Sequence, residues 1–173
     1  FSLLNFETPQ DLKENLATKM TEIANSYGIK LKSKKNYKNV FEELLQRLAE
    51  KNKVVILIDE YDKPIIEFID KQEIALENRT ILKNFYEVIK GSDPYIEFVF
   101  LTGVSKFARV SVFSGLNNLR DITLSQDFAT ITGYTETELQ TYFEPYIELV
   151  AQRLHLKTSE LLREIKNWYN GYS

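Results

Sequence analysis

Apolar residues recur every three or four positions along much of the chain, and this spacing predicts amphipathic helices. The first predicted helix starts at Thr8-Pro9-Gln10-Asp11, where a cap residue, a proline and an acid stand at the positions that helix starts favour. It runs to about Ser26, and Gly28 suits its end. Pro64 suits the first turn of another helix. Longer helices are predicted over 39–51, 73–90, 135–153 and 158–168.

Short apolar runs between the helical stretches predict strands. Val54 to Ile58 is a continuous apolar run without alternation, which is typical of a strand covered on both faces. Ile96 to Leu101 predicts the next strand, and Phe1 to Phe6 predicts a buried strand before the first helix. Residues 120–124 have the pattern of one more short strand.

The order of these elements indicates the fold class. Strands that are separated by stretches of helical length favour an α/β fold with a parallel sheet and crossover helices. We therefore predict an α/β core over residues 1–133, followed by a helical region over residues 134–173.

Composition narrows the class of protein. The chain has 173 residues, 43% hydrophobic and 27% charged, as in an ordinary globular protein. It contains no cysteine, which excludes disulfides, thiolate metal sites and cysteine nucleophiles. No apolar run reaches the roughly 18–20 residues of a membrane span, and Phe1 to Phe6 lacks the basic front end of a signal peptide. We therefore expect a cytoplasmic protein without a membrane partner.

The charge distribution bears on nucleic-acid binding. A net charge of −3 argues against a broadly basic nucleic-acid surface. One basic cluster lies between the first two predicted helices; it consists of Lys30, Lys32, Lys34, Lys35 and Lys38. A solvated loop is the favoured interpretation of this cluster, and a phosphate-binding patch is the alternative.

Two acids directly follow the first of the central apolar runs. Asp59 and Glu60 come at the predicted carboxyl end of a parallel strand, where open α/β sheets bind their ligands. Nucleotide hydrolases use such a pair: the first acid holds Mg²⁺, usually through water, and the second orients or deprotonates the attacking water. The alternative is that the two acids only end a strand and solvate a turn.

The next strand favours the catalytic interpretation. Thr102 follows it at the same predicted edge of the sheet. ATPases of this class place a polar residue (sensor 1) at that position, beside the attacking water. Asp62 is expected to cap the helix that contains Pro64. Lys106 and Arg109 lie in the polar loop after Thr102, where each either neutralises phosphate charge or is a surface charge.

Other kinds of chemistry have less support in the sequence. Ser105, Ser111 and Ser114 do not stand in a G-x-S-x-G motif. His155 is the single histidine and comes late in a predicted helix, which favours a surface or helix-end role. A receiver-like phosphoacceptor domain would need its acids on earlier strands and a lysine after a later one, and the order of residues in this chain fits that pattern poorly. The G-x-x-x-x-G-K-[ST] loop that cradles phosphates in P-loop ATPases is also absent from the chain.

Four blocks of sequence, in this order, resemble one family. They are VVILIDEYDKPI, FLTGVSKFARVSVFSGLNNLRDITL, TGYTETEL and WYNGYS. Together they resemble the bacterial and archaeal AAA-ATPase-like family of the P-loop NTPase superfamily, whose members often carry a nuclease-like domain of the PD-(D/E)xK superfamily. The resemblance extends over nearly the whole chain and is strongest from Val54 to Leu139.

The resemblance implies roles for individual residues. Asp59 matches the Mg²⁺-associated acid, Glu60 the catalytic acid and Thr102 the sensor residue. Lys106 and Arg109 fall in the nucleotide-proximal Ser-Lys-Phe loop of the family without an assigned individual role. Mg²⁺ and ATP are the cofactors that the resemblance implies for the full-length protein.

The resemblance also implies a fold and a relation to a longer protein. It implies a three-layer P-loop NTPase-like sheet in which the P-loop strand lies upstream of Phe1. We therefore expect a fragment of an ATPase, inactive by itself; a non-catalytic scaffold or interaction module is the alternative. Without the P-loop strand, the sheet edge beside Ile96 to Leu101 is expected to be uncovered and to promote self-association. A separate nuclease-like domain would contact nucleic acid.

Overall fold

The computed structural model describes residues 6–104, 112–113 and 118–169. The chain forms two compact units, Phe1–Leu119 and Arg120–Ser173. The predicted division into residues 1–133 and 134–173 stays a prediction. The predicted strand over Phe1 to Phe6 lies outside the described residues except for Phe6, which is buried beside Phe68 with a ring separation of 6.1 Å.

Local signals set where the first two long helices of the first unit begin. Thr8 accepts a hydrogen bond from the Asp11 N–H while the Asp11 carboxylate accepts one from the Thr8 N–H, which forms a capping box. Asn36 accepts from the backbone N–H groups of Lys38 and Asn39, so the second helix begins two residues earlier than predicted. The helices are α1 (Pro9–Ser26), α2 (Tyr37–Ala49), α3 (Lys63–Ile66) and α4 (Gln72–Gly91).

Two parallel strands follow the predicted apolar runs. β1 (Val54–Ile58) pairs with β2 (Ile96–Leu101), with Ile56 opposite Val99 and Ile58 opposite Leu101. The chain passes from β1 to β2 through α3 and α4, as a parallel pair requires. The α/β character and the crossover helices are therefore confirmed, and the described sheet has two strands.

The two faces of this sheet differ in burial. Ile56 is 8% exposed and joins the helical core, whereas Val55 and Leu57 are 55% and 70% exposed. The prediction that β1 is covered on both faces is therefore wrong for the described chain. Successive side chains of a strand point to opposite faces, and the helical core of this unit meets the face that carries Ile56.

The core of the first unit lies between α1, α2, α4 and the inner face of the sheet. Leu12, Val40 and Leu82 are completely buried there, and the rings of Phe41 and Phe85 stack at a centroid distance of 4.5 Å. Each such side chain contributes about 1.5–3 kcal/mol through removal of apolar surface from water. This packing gives the two strands a fixed support.

The second unit consists mainly of a helical pair, α5 (Glu136–Leu154) and α6 (Thr158–Tyr169). A capping box formed by Thr135 and Glu138 opens α5, as predicted. His155 ends this helix in the left-handed conformation with φ 54°, which agrees with the expected helix-end role. Ile147, Ala151 and Leu161 form the buried cluster of the unit.

The predicted short strand over residues 120–124 is wrong. The Asp121 carboxylate accepts hydrogen bonds from the N–H and the hydroxyl of Thr123 at 3.1 and 2.7 Å. A side chain that binds the backbone two residues onward stabilises a turn instead of an extended ladder. The segment continues into a short 3₁₀ helix, Gln126–Phe128.

Candidate functional site

The candidate site lies at the carboxyl ends of the two parallel strands. Beyond β2, the Thr102 N–H donates to the Ile58 carbonyl oxygen at 2.9 Å, and the Tyr61 N–H donates to the Thr102 carbonyl oxygen at 2.9 Å. These bonds extend the strand pairing past the ends of both strands. The backbone therefore brings the segments that follow β1 and β2 into direct contact.

Asp59 and Thr102 meet at this edge. The Thr102 hydroxyl donates a hydrogen bond to Oδ1 of Asp59, and the backbone N–H of Glu60 donates to the same oxygen at 3.1 Å. The Glu60 N–H also lies 3.4 Å from the Thr102 hydroxyl oxygen. Asp59 is exposed and Thr102 is half-buried. Two of the predicted site residues thus share a hydrogen bond although 43 positions separate them.

Glu60 has an unusual backbone and side-chain environment. Its φ angle is 54°, in the left-handed region that residues other than glycine rarely adopt, and such strain concentrates at functional sites. Within the described residues, its Oε2 atom is buried and has no hydrogen-bond partner. An orphaned buried carboxylate oxygen is costly, so it is a candidate for contact with a ligand or water.

Asp62 occupies the N-cap position of α3, as expected, but its side chain makes no capping hydrogen bond. It is only 1% exposed, and its two carboxylate oxygens lie 3.1 and 3.4 Å from the Val104 N–H. The carboxylate instead accepts from the backbone of Val104, which belongs to the segment after β2. Asp62 therefore joins the two segments at the candidate site.

Aromatic side chains form the inner wall behind these acids. The Tyr86 hydroxyl donates to the Tyr61 carbonyl oxygen at 3.3 Å, and the ring of Phe113 contacts both tyrosine rings at centroid distances of 4.7 and 5.2 Å. Burial raises the pKa of the Tyr86 hydroxyl well above its ordinary value, and the negative charge of Asp62 adds to this effect. Tyr86 therefore serves this wall as a neutral donor.

Gly103 makes the close approach of the two segments possible. A Cβ atom at this position would lie 2.6 Å from Cδ1 of Tyr61 and 2.8 Å from Oδ1 of Asp62. Sequence reasoning missed the roles of Asp62, Tyr86 and Gly103. A glycine directly after a strand is a signal of close backbone approach that could have identified Gly103. Lys106 and Arg109, the predicted nucleotide-proximal cations, lie outside the described residues.

The acids present fit a magnesium ion that is held mainly by its other ligands. In the part of the chain that the structure describes, no three His, Cys, Asp or Glu side chains come together as a metal cluster. Mg²⁺ in nucleotide sites is bound through one or two carboxylates together with phosphates and water. An exposed Asp59, followed in the sequence by Glu60 with its orphaned Oε2, matches that smaller requirement.

A separate groove of about 400 Å³ lies beside β1 and is lined mainly by apolar residues of α1, α2 and β1. Its lining includes the charged residues Lys19 and Asp59, but most of it consists of apolar side chains such as Leu16, Leu44 and Val54. Apolar side chains offer phosphate groups neither hydrogen bonds nor positive charge. The strand ends, where the polar contacts converge, are therefore the candidate site.

Comparisons with known proteins identify related sequences. The family model described as "Predicted AAA-ATPase" matches residues 1–113. A protein of Azotobacter chroococcum mcd 1, described as an uncharacterized protein in the vnfD 5' region, is 40% identical over 166 residues. That match covers 95% of this chain and 30% of the relative, so the chain spans under a third of the relative's length. No solved structure matches the chain. Within the described residues, no helix combines the length and apolar character needed to cross a bilayer.

Proposed function

Because the chain belongs to the predicted AAA-ATPase family, we propose that it is the portion of an ATP-hydrolysing protein that carries the Walker B and sensor strands. In this proposal β1 and β2 belong to a three-layer P-loop NTPase sheet. The phosphate-binding loop and its strand come from sequence outside these 173 residues, so the chain does not hydrolyse ATP by itself.

One observation carries the proposal: the Thr102 hydroxyl binds Asp59 at the shared carboxyl edge of two parallel strands. This edge is where open α/β sheets bind ligands. The strained backbone of Glu60 and the orphaned Oε2 of its side chain add support, because strained and unsatisfied groups concentrate at sites of chemistry.

The proposed roles follow from where each group lies. Asp59 is exposed and would hold Mg²⁺, chiefly through water, while Thr102 fixes the orientation of its carboxylate. Glu60 would accept the proton of the water that attacks the γ-phosphorus. Bound Mg²⁺ supplies neutralisation of the negative charge on the phosphate oxygens. Lys106 and Arg109 are proposed to contribute positive charge near the nucleotide.

The test uses the protein encoded by the complete reading frame that contains this chain. We expect Glu60→Gln to lower the rate of phosphate release at least about 100-fold, since a positioned general base contributes about 10²–10⁴ to the rate. We expect the affinity for Mg-ATP, measured by calorimetry, to stay within about threefold because binding is carried largely by the P-loop. Glu67→Gln, the same change at an exposed neighbouring position, is the matched control.

Two outcomes would count against this function. Turnover that is unchanged in Glu60→Gln would remove the catalytic role of that residue. A complete reading frame that encodes no G-x-x-x-x-G-K-[ST] motif upstream, together with no Mg-ATP binding, would favour the second candidate. That candidate is a non-catalytic scaffold or interaction module with an ATPase-like fold, and the absence of the motif from this chain is what favours it.

The proposal includes two kinds of partner, one suggested by the sheet and one by the family resemblance. Among the described strands, β2 pairs with β1 alone, and an unpaired strand side is a template for pairing with another chain. We propose self-association of this chain through that side; a monomer in sedimentation experiments over the micromolar range would refute it. A nuclease-like domain elsewhere in the full-length protein is the proposed contact with nucleic acid.

A further inference from the structure

We propose that Asp62 is a positioning residue that holds the segment after β2, Thr102 to Val104, against the segment after β1. It thereby keeps the Thr102 hydroxyl on Asp59. The catalytic meaning of this role rests on the proposed ATPase function, whereas the contact between Asp62 and Val104 belongs to the fold.

The Val104 backbone is held by the Asp62 carboxylate and not by packing of the Val104 side chain. The Val104 residue is 86% exposed, so packing of its side chain does not fix the backbone at this point. Its N–H instead meets both oxygens of Asp62, a carboxylate that is only 1% exposed. Hydrogen bonds to an ionised acceptor are roughly twice as strong as those between neutral groups. Among the described residues, the hydrogen bond to the buried Asp62 carboxylate is therefore what holds the Val104 backbone.

Asp62 itself has a rigid support. Its carbonyl oxygen accepts from the N–H groups of Ile65 and Ile66 at 2.9 and 3.1 Å at the start of α3. Asn78, which is completely buried on α4, donates from Nδ2 to the Pro64 carbonyl oxygen at 2.8 Å. The short helix α3 is thus tied to the long helix α4. A side chain on such a support can define the position of a loop to a fraction of an ångström.

Gly103 supplies the complementary half of the contact. It lies between Thr102 and Val104, and a Cβ atom there would collide with the Tyr61 ring and Oδ1 of Asp62. Any larger residue would therefore push the segment away from Asp62. Because Thr102 is adjacent to Gly103, this displacement would also move its hydroxyl relative to Asp59.

Asp59 and Asp62 thus have different tasks despite their closeness in sequence. Asp59 is exposed at the edge where a ligand would bind, and Asp62 faces the protein backbone. A displacement of about 1 Å at a catalytic group can lower a rate about 100-fold. Loss of the Asp62 contact is therefore expected to lower the rate of the chemical step and to leave nucleotide binding nearly unchanged.

The test compares Asp62→Asn with Asp70→Asn in the protein encoded by the complete reading frame. Asp70 is exposed on the same segment, so it controls for the loss of one negative charge. We expect hydrogen exchange at the Val104 amide to become at least about tenfold faster in Asp62→Asn alone. We expect kcat for ATP to fall about 10- to 100-fold in that variant with KM changed less than threefold.

A second variant reaches the same contact without altering the buried acid. Gly103 is exposed, so Gly103→Ala is expected to fold, to accelerate exchange at Val104 and to lower kcat in the same way. Val104 exchange that is unchanged in both variants would overturn the positioning role. Faster exchange with an unchanged kcat would overturn its catalytic meaning. A parent protein that does not hydrolyse ATP would instead refute the proposed function, and the exchange result would still decide the contact.

Discussion

The two compact units begin a helix with the same local device but bury very different amounts of side chain. Thr8 and Asp11 form the capping box of α1 in the first unit, and Thr135 and Glu138 form that of α5 in the second. The first unit surrounds its capped helix with a core that includes Leu12. The second buries a cluster of three residues, with others packed partly against it.

This difference separates what starts a helix from what stabilises it. A cap satisfies orphan N–H groups locally, whereas most helix stability in proteins comes from packing of an apolar face. In the second unit, Tyr142 and Tyr146 are 68% and 67% exposed, and they stand one turn apart on α5. Both units begin a helix with a complete capping box, but the first unit buries many more side chains than the second.

The largest effect is expected in the core of the first unit. Leu82 on α4 is completely buried, so Leu82→Ala should lower the free energy of unfolding by about 2–5 kcal/mol through lost burial and a residual cavity. Urea denaturation measures the change. Leu76→Ala is the control, since Leu76 lies on the same helix and is 45% exposed. A loss at Leu82 no larger than at Leu76 would contradict the assigned core.

A smaller effect is expected for the buried cluster of the second unit. Ile147 is 6% exposed beside few other buried side chains, which can relax around a truncation. Ile147→Ala should therefore destabilise this unit by about 1–2 kcal/mol, at or below the usual range for such a change. Hydrogen exchange of α5 and α6 amides reports the loss, and Leu149→Ala is the exposed control on α5. A loss as large as that of Leu82→Ala would erase the contrast between the units.

The two capping boxes should respond alike to truncation. Thr8→Ala and Thr135→Ala each remove the hydroxyl that accepts from the third residue of the helix, and each should cost about 1 kcal/mol. Amide exchange in the first turns of α1 and α5 is the measurement. Thr137→Ala removes an exposed threonine inside α5 and should show no such loss. If the two substitutions destabilised their helices by very different amounts, packing would have to contribute to the stability of the capped turns.

The smallest effect concerns the acids of the capping boxes at low pH. A hydrogen bond from the Thr8 side chain is the main cause that lowers the pKa of Asp11, and one from the Thr135 backbone is the main cause for Glu138. A lowered folded-state pKa means that the stabilisation is complete above the unfolded-state pKa and is lost as pH falls through the folded-state pKa.

The test of this pH dependence is amide exchange in the first turns of α1 and α5 across the acid range. Both helix starts should lose protection as the pH falls, because protonation of Asp11 or Glu138 weakens an accepted hydrogen bond. Asp11→Asn should reduce the dependence at α1 alone, and Glu138→Gln should reduce it at α5 alone. A dependence that persists unchanged in these variants would assign it to other groups.

Local patterns were sufficient to predict much of the fold and part of the site. The spacing of apolar residues predicted α4 as 73–90 against the observed Gln72–Gly91, and β1 and β2 have the predicted bounds. Asp59 and Thr102 could be placed together because parallel strands end at one edge. The predicted start of α2 was late, because the Asn36 cap lies before the apolar pattern begins.

What the sequence by itself determined is therefore the set of features that depend on near neighbours: helix caps, helical faces and strand runs. The tertiary structure decided the features that depend on distant partners. Asp62 binds the Val104 N–H across 42 positions, and the exposure of Val55 and Leu57 depends on which face of the sheet the helices cover. The physical reason is that a cap or a stripe is formed by residues within a few positions, whereas burial and long-range hydrogen bonds arise only when separate segments pack together.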